Sequence, residues 1–526
     1  MPTVRRIAHE FLERNELTTI FGNPGSNELP FLAELPDTFR YVLGLHEGVV
    51  LGMADGYAQA TGRPVLVNLH AAAGSGNAMG ALTNAVYARS PLVLTAGQQV
   101  RSAIGMEAML ANVGATELMR PLVGWSGEPT CAADVPRSLA QAVFEAELHR
   151  RPSYLSVPYD DWAAELDPAT LPTVDRTVRQ GRAPDAVQLA DLAARVEAAR
   201  NPALVFGGDI DTAGLFDAAV RLAEHLALAT WVAPSPHRLP FPNRHRLFRG
   251  VLPAGIGPLS AELAGHDLIL VLGAPVFRYH QHVPGRYLPE GSTLVQVTED
   301  ASAAARAPVG EALVADPGVV IDALLTRIPA RRTASGEPFG SSPEPAAGKN
   351  ALHPEQVFAA LRDTQPGDTA YVVESTSTNA AWWRQMDLRH GGSYFFPAAG
   401  GLGFGLPAAI GVAMARPDRP VLAVIGDGSA NYGITALWTA ARYRVPVTFL
   451  ILRNGSYGAL RWFGDLLGTP DVPGTEIDGI DFTRIAEGYG VPAASVTGDA
   501  ELRTALKATA EGPRLIQIDT ELTTPE

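Results

Sequence analysis

Only one of the 526 residues is a cysteine, Cys131, which excludes an internal disulfide framework and a cysteine-based zinc site and fits a reducing compartment. Also missing is any apolar run of the ~18 residues that a membrane helix needs, so no span is expected. Long basic runs and short regular repeats are absent, and a formal charge of −14 argues against broad nucleic-acid binding. An anionic substrate would have to be drawn in locally. No expected strand is followed by GxGxxG with an acidic residue ~20 positions on, which removes the usual nicotinamide fingerprint. The first stretch, MPTVRRIAHEFLERN, already holds acids and sets Ile7, Phe11 and Leu12 at helical spacing. It reads as a folded helix rather than an export or transit peptide, and a cytoplasmic location is expected.

What is present is apolar and alternating. Apolar residues make up 46% and charged residues 18%, and the length suits about three domains because single cores rarely exceed ~250 residues. Strand-like and helix-like segments alternate, as in α/β folds. Three doubly wound domains with mainly parallel sheets are expected over residues 1–178, 179–330 and 351–526, with a Ser-, Gly-, Pro- and Glu-rich linker at 331–350. Strands are expected at 18–21, 41–45, 64–69, 91–96 and 153–157, then at 203–206, 230–233, 268–272 and 294–297, and finally at 370–373, 421–425, 447–452 and 515–518. The first three end in Ser26 of GNPGSNE, in His46-Glu47 and in His70. Ligands of open α/β sheets sit outside the carboxyl ends of the strands, which gathers these three polar candidates on one edge. Blander roles stay open for each: a helix cap for Ser26, helix N-terminal charge for Glu47, a structural hydrogen bond for His70.

The most informative stretch is 421–460, VLAVIGDGSANYGITALWTAARYRVPVTFLILRNGSYGAL. A continuous apolar run breaks at Gly426-Asp427-Gly428. Helical spacing of Ile434, Leu437, Trp438 and Ala441 follows over 430–443, and a second apolar run leads to Asn454-Gly455-Ser456. One right-handed crossover returns the chain beside its start, so Asp427 and Asn454 are expected at neighbouring strand ends. A carboxylate, an amide oxygen and the exposed backbone carbonyls of the Gly-Ser turn form a hard-oxygen set suited to Mg²⁺, with Ca²⁺ as the alternative. Flanking glycines and the next helix N-terminus let backbone amides approach a diphosphate.

GDGS followed, one crossover later, by Asn454 resembles the signature of the thiamine-diphosphate enzymes. Within that family the chain is similar to the benzoylformate decarboxylases over nearly its whole length, through FGNPGSNELPFL, ADGYAQATGRP, GAPVFRYHQ, ESTSTN, AAGGLGFGLPAAIGV and NGSYGALRWF. The resemblance implies the thiamine-diphosphate-enzyme architecture, with Asp427, Asn454 and Ser456 on the metal. It further implies that Thr376, Ser377, Gly400, Gly401, Leu402, Gly426, Gly428, Ser429, Tyr457 and Gly458 hold thiamine diphosphate, Leu402 acting as the wedge beneath it. Glu47 would hydrogen-bond the aminopyrimidine ring, Ser26 the substrate carboxylate, and His70 would act as acid-base near the carbonyl. His280 of FRYHQ would serve the later proton transfers.

Leu110, Phe396, Leu460 and Phe463 match the family's apolar pocket wall, which suits an aromatic 2-oxo acid. The implied reaction is non-oxidative decarboxylation of benzoylformate to benzaldehyde and CO₂, as in mandelate catabolism, by a homodimer paired into a homotetramer. Backbone carbonyls around Glu117, Leu118 and Arg120 match a second, structural cation site. Two residues depart from the pattern: Arg453, where the family doubles the asparagine, and Pro397. His282 has no role here, since HxH lacks further ligands nearby. A carboligase of the acetolactate-synthase kind, a decarboxylase of another 2-oxo acid and an inactive cofactor-binding protein stay open.

Overall fold

The computed structural model describes residues 1–167, 176–178, 180–280, 282–331, 339–508 and 511–524. Three sheets, each of six strands, follow one another along the chain. The first contains β1 (Thr19–Gly22), β2 (Arg40–Leu43), β3 (Val65–Leu69), β4 (Leu92–Gln98), β5 (Trp125–Gly127) and β6 (Ser153–Pro158). The second contains β7 (Pro202–Phe206), β8 (Ala229–Val232), β9 (Phe248–Val251), β10 (Leu268–Leu272), β11 (Thr293–Thr298) and β12 (Glu311–Val314). The third contains β13 (Ala370–Glu374), β14 (Tyr394–Phe395), β15 (Val421–Gly426), β16 (Val447–Arg453), β17 (Ala493–Val496) and β18 (Arg514–Asp519). Named strands pair in parallel throughout, as in β15 on β16 and β3 on β4. Central strands such as β3 and β10 are buried along their whole length, which is what their unalternating apolar runs require.

Sheet order shows how the site is placed. The first sheet runs β2-β1-β3-β4-β6-β5 and the third β14-β13-β15-β16-β18-β17, the same order reached independently. Each has its switch point beside its first strand, between β1 and β3 and between β13 and β15. A crevice opens there at the carboxyl ends. Ser26 and His70 follow β1 and β3, and Thr376 and Asp427 follow β13 and β15, so both sets of candidate residues occupy the corresponding crevice of their own domain.

The two outer domains meet through the helix Glu47–Thr61 and the helix Gly405–Ala415. Both are buried nearly all round, and glycines let them touch. A Cβ on Gly56 would lie 2.3 Å from the Ala408 carbonyl oxygen. Tyr443 Oη accepts from Leu43 N (2.9 Å) and donates to the Tyr41 carbonyl (3.1 Å), tying the third domain to β2.

Buried within the Glu47–Thr61 helix, Asp55 accepts on Oδ1 from Ser90 Oγ (2.5 Å) and Gln59 Nε2 (3.0 Å), while its Oδ2 has no partner. Burial pushes this carboxyl from 3.8 up to about 6. The unfolded chain releases the proton first, so the native state binds more protons between those values and stability falls as pH rises through that window. Asp55→Asn keeps both bonds at Oδ1 and cannot ionise. Above pH ~6 it should be more stable than the wild type by about 1–3 kcal/mol, with the gap closing toward pH ~4. Urea midpoints at several pH values check this.

Two expectations need correction. Strands β5, β9, β12, β14 and β17 were not expected, and each lies at or next to no more than one neighbour, on a sheet edge. The helix expected over 430–443 is broken into Asp427–Ala430, a 3-10 turn Asn431–Gly433 and Ala436–Arg442. Asn431 Nδ2 donates to the Asp427 carbonyl (2.9 Å), and Gly433 lies against Pro407. Of the expected linker, residues 332–338 lie outside the described residues, and 339–350 form neither helix nor strand. No helix among the described residues is long and apolar enough to cross a membrane.

Candidate active site

In the first domain, the loop after β1 exposes Ser26, whose hydroxyl lies 3.4 Å from Asn27 Oδ1. Glu47 is 6% exposed. Its two carboxylate oxygens accept from Asn23 Nδ2 (3.2 Å) and Asn77 Nδ2 (3.0 Å), which fixes the carboxylate plane from both sides. His70 precedes the helix Ala71–Tyr87, and its Nδ1 lies 2.8 Å from Glu28 Oε2. Leu110 takes φ +68 and is 40% exposed, and its carbonyl accepts from Asn27 Nδ2 at 3.2 Å.

In the third domain, Asp427 is 3% exposed. Oδ1 accepts from Gly428 N (2.9 Å), and Oδ2 accepts from Asn454 N (2.9 Å) and Gly455 N (2.7 Å). The single crossover therefore does bring Asp427 to the Asn454 turn. Gly455 supplies its φ of +68, a conformation costly for other residues. Burial pushes the Asp427 carboxyl upward against these N–H groups. Asn454 Oδ1 accepts from Ser456 N (3.0 Å).

The turn carrying Leu402 is held from two directions. Glu374, fully buried at the end of β13, accepts from Gly403 N (2.7 Å), Phe404 N (3.3 Å) and Gly405 N (2.7 Å). Burial pushes its carboxyl up to about 7 while those donors pull it down. Asn84 of the first domain donates Nδ2 to the Gly401 carbonyl (2.8 Å) and accepts on Oδ1 from Ala399 N (3.0 Å) and Gly401 N (3.3 Å). One lone pair of the Gly401 carbonyl is thus left for another donor.

A cavity of about 1370 Å³ brings together the third-domain candidates, all but Gly401, with His280 from the second domain. His280 lies edge-on to Phe463, 4.8 Å between ring centres, with Phe396 and Leu460 in the same wall. Ser26, Glu47, His70 and Leu110 do not line it. Within one chain the candidates thus fall into two groups, and Leu110 is not joined to Phe396, Leu460 and Phe463. Arg453 turns away from Asp427 to pair with Asp519 across β16 and β18 (2.6 and 2.9 Å). That accounts for an arginine at this position. His282 is exposed. Glu117 pairs with Arg120 (3.0 Å), and its carbonyl accepts from Arg120 N (3.2 Å).

Comparison with known proteins gives the family. Models of the thiamine pyrophosphate enzymes match as the N-terminal TPP binding domain over residues 2–118, the central domain over 189–324 and the C-terminal TPP binding domain over 375–519. The chain is 56% identical to benzoylformate decarboxylase of Pseudomonas aeruginosa over 100% of both chains. It belongs to the thiamine pyrophosphate enzyme family. Among solved structures of that family, the thiamine diphosphate-dependent 4-hydroxybenzoylformate decarboxylase of Rhodococcus jostii RHA1 superposes with a TM-score of 0.97 at 56% identity, covering 99% of each chain. Benzoylformate decarboxylase of Polynucleobacter necessarius superposes at 0.95 and 35% identity, covering 100% of this chain and 99% of its own.

The chain's donor set fits the family's cofactor. Gly426–Ser429 and Ser456–Gly458 line a cavity together with the buried Asp427 carboxylate, whose side-chain hydrogen bonds come from backbone N–H groups and not from a cationic side chain, a setting that suits a metal-bound diphosphate. Sequence reasoning missed Asn23, Glu28, Asn77, Asn84 and Glu374. All five hold a candidate group in place, through contacts that no residue pattern in the sequence announces.

Proposed function

We propose that this member of the family is a carboxy-lyase that converts benzoylformate-type aromatic 2-oxo acids to the aldehyde and CO₂, using thiamine diphosphate and Mg²⁺. The observation that carries the substrate class is the Phe396, Leu460 and Phe463 wall, which shares one cavity with the Asp427 and Asn454 turns and with His280. An aryl ring fills such a wall, and a methyl group leaves it empty. Asp427, the Asn454 amide oxygen and the Ser456 carbonyl would hold the metal.

Thiamine diphosphate, when bound, supplies the sink for the electron pair released as the bond to CO₂ breaks. Ser26 orients the carboxylate with its exposed hydroxyl, and His70 holds and delivers a proton at the carbonyl oxygen. His280 delivers a proton to the carbon that CO₂ has left. Glu47, stiffened by Asn23 and Asn77, keeps its carboxylate aimed for the cofactor's ring. Because the two groups of candidates share no cavity in one chain, each is a half-site that a second copy completes, and two such dimers form the tetramer. Exposed Met106, Met109 and Leu110 beside one half-site and Leu460, Leu466 and Leu467 beside the other supply apolar surface for this contact. A fully active monomer in sedimentation would contradict it. The reducing cytoplasm suits the exposed, unpaired Cys131.

With thiamine diphosphate and Mg²⁺ present, kcat/KM for benzoylformate should exceed that for pyruvate by at least about 100-fold. Comparable rates, or acetolactate as product, would point to the carboligase reading.

A further inference from the structure

Glu28 is 1% exposed yet forms no contact with a lysine or arginine side chain among its hydrogen bonds and ion pairs. Its carboxylate joins the carboxyl ends of three neighbouring strands. Oε2 accepts from Gly25 N (2.9 Å), in the loop after β1, and Oε1 accepts from Ala71 N (3.0 Å), after β3, and from Gly97 N (2.7 Å), in β4. The fourth contact is His70 Nδ1, 2.8 Å from Oε2. Both carboxylate oxygens already accept backbone N–H groups, so Glu28 faces the ring as an acceptor. Nδ1 of His70 must therefore carry the hydrogen in this contact.

That leaves Nε2 as the ring atom free to exchange a proton. The Gly25 loop also fixes the ring itself, since a Cβ on Gly25 would lie 2.0 Å from His70 Nδ1. The imidazole side chain is 23% exposed against 1% for the carboxylate, so the histidine is the partner that reaches the crevice.

We infer that Glu28 is a positioning residue that fixes His70 in its Nδ1–H form and stabilises its imidazolium, so that Nε2 presents the proton to the substrate oxygen. This rests on the acid-base reading of His70 given above. A carboxylate that sets tautomer and orientation from behind the ring is a general device for such histidines.

Glu28→Gln brings an NH₂ to one of two positions, each already facing two donors. Turned toward His70, it forces Nδ1 to accept and moves the hydrogen to Nε2. The variant should lower kcat by about 100-fold. Loss of the negative charge should also shift the alkaline limb of its kcat/KM profile to lower pH by about one unit or more. In a His70→Ala background the same change should cost less than about threefold, because there is no ring left to position.

A loss of equal size in both backgrounds, or an unshifted pH profile, overturns the inference while leaving the role of His70 standing. A His70→Ala enzyme with near wild-type turnover overturns both. If Glu28→Gln does not fold, neutron diffraction from the wild-type holoenzyme decides. Deuterium on His70 Nδ1 supports the inference, and deuterium on Nε2 alone overturns it.

Discussion

Glu47→Gln is expected to lower kcat by about 10²–10⁴-fold in a protein that still folds. Gln has nearly the shape of Glu, but only the carboxylate can accept at both oxygens, from Asn23 on one side and Asn77 on the other. In the variant one of those amides must turn or lose its acceptor, at a cost of about 1 kcal/mol, small for a domain whose Val49, Val50, Leu51 and Met53 are buried beside it. The catalytic loss should therefore far exceed the change in thermal midpoint. Steady-state rates and thermal unfolding on the same preparation separate the two. Turnover within about threefold of the wild type would remove Glu47 from the chemistry.

The second large effect is expected at Asp427. Asp427→Ala removes Oδ2, which Asn454 N and Gly455 N share, and Oδ1, which accepts from Gly428 N. The apoprotein should lose about 2–4 kcal/mol, because buried N–H groups are left unpaired. Mg²⁺-dependent binding of thiamine diphosphate should weaken by at least about 100-fold. Asp427→Asn distinguishes the two losses, since its Oδ1 still accepts while the charge is gone. Calorimetric titration with thiamine diphosphate in the presence and absence of Mg²⁺ checks both variants. Unchanged affinity in Asp427→Asn would exclude this carboxylate as the metal's anchor.

Legibility followed burial. Strands covered on both faces announced themselves: β10 is the run Leu268–Leu272 with every residue buried. The five unexpected strands are all on sheet edges, where one flank is open and the apolar run is lost. β12, with the sequence EALV, has no buried residue at all. Candidate site residues were legible where one crossover ties them together, as with Asp427 and Asn454. Glu28 contacts His70 across 42 positions and Asn84 contacts Gly401 across 317, and no spacing rule spans such distances. A single acid inside the otherwise apolar ELPFL was the one available signal for Glu28, because a carboxylate there must find buried donors.

The outermost strands have a consequence for assembly. β2, β9, β12 and β17 are four residues long, β5 three and β14 two. Such short margins offer too few free amides and carbonyls to template strand addition by another molecule. In the dimer proposed above, copies would recognise one another through side-chain relief on helices and loops, so interface substitutions should act one residue at a time rather than by sliding a hydrogen-bonded register.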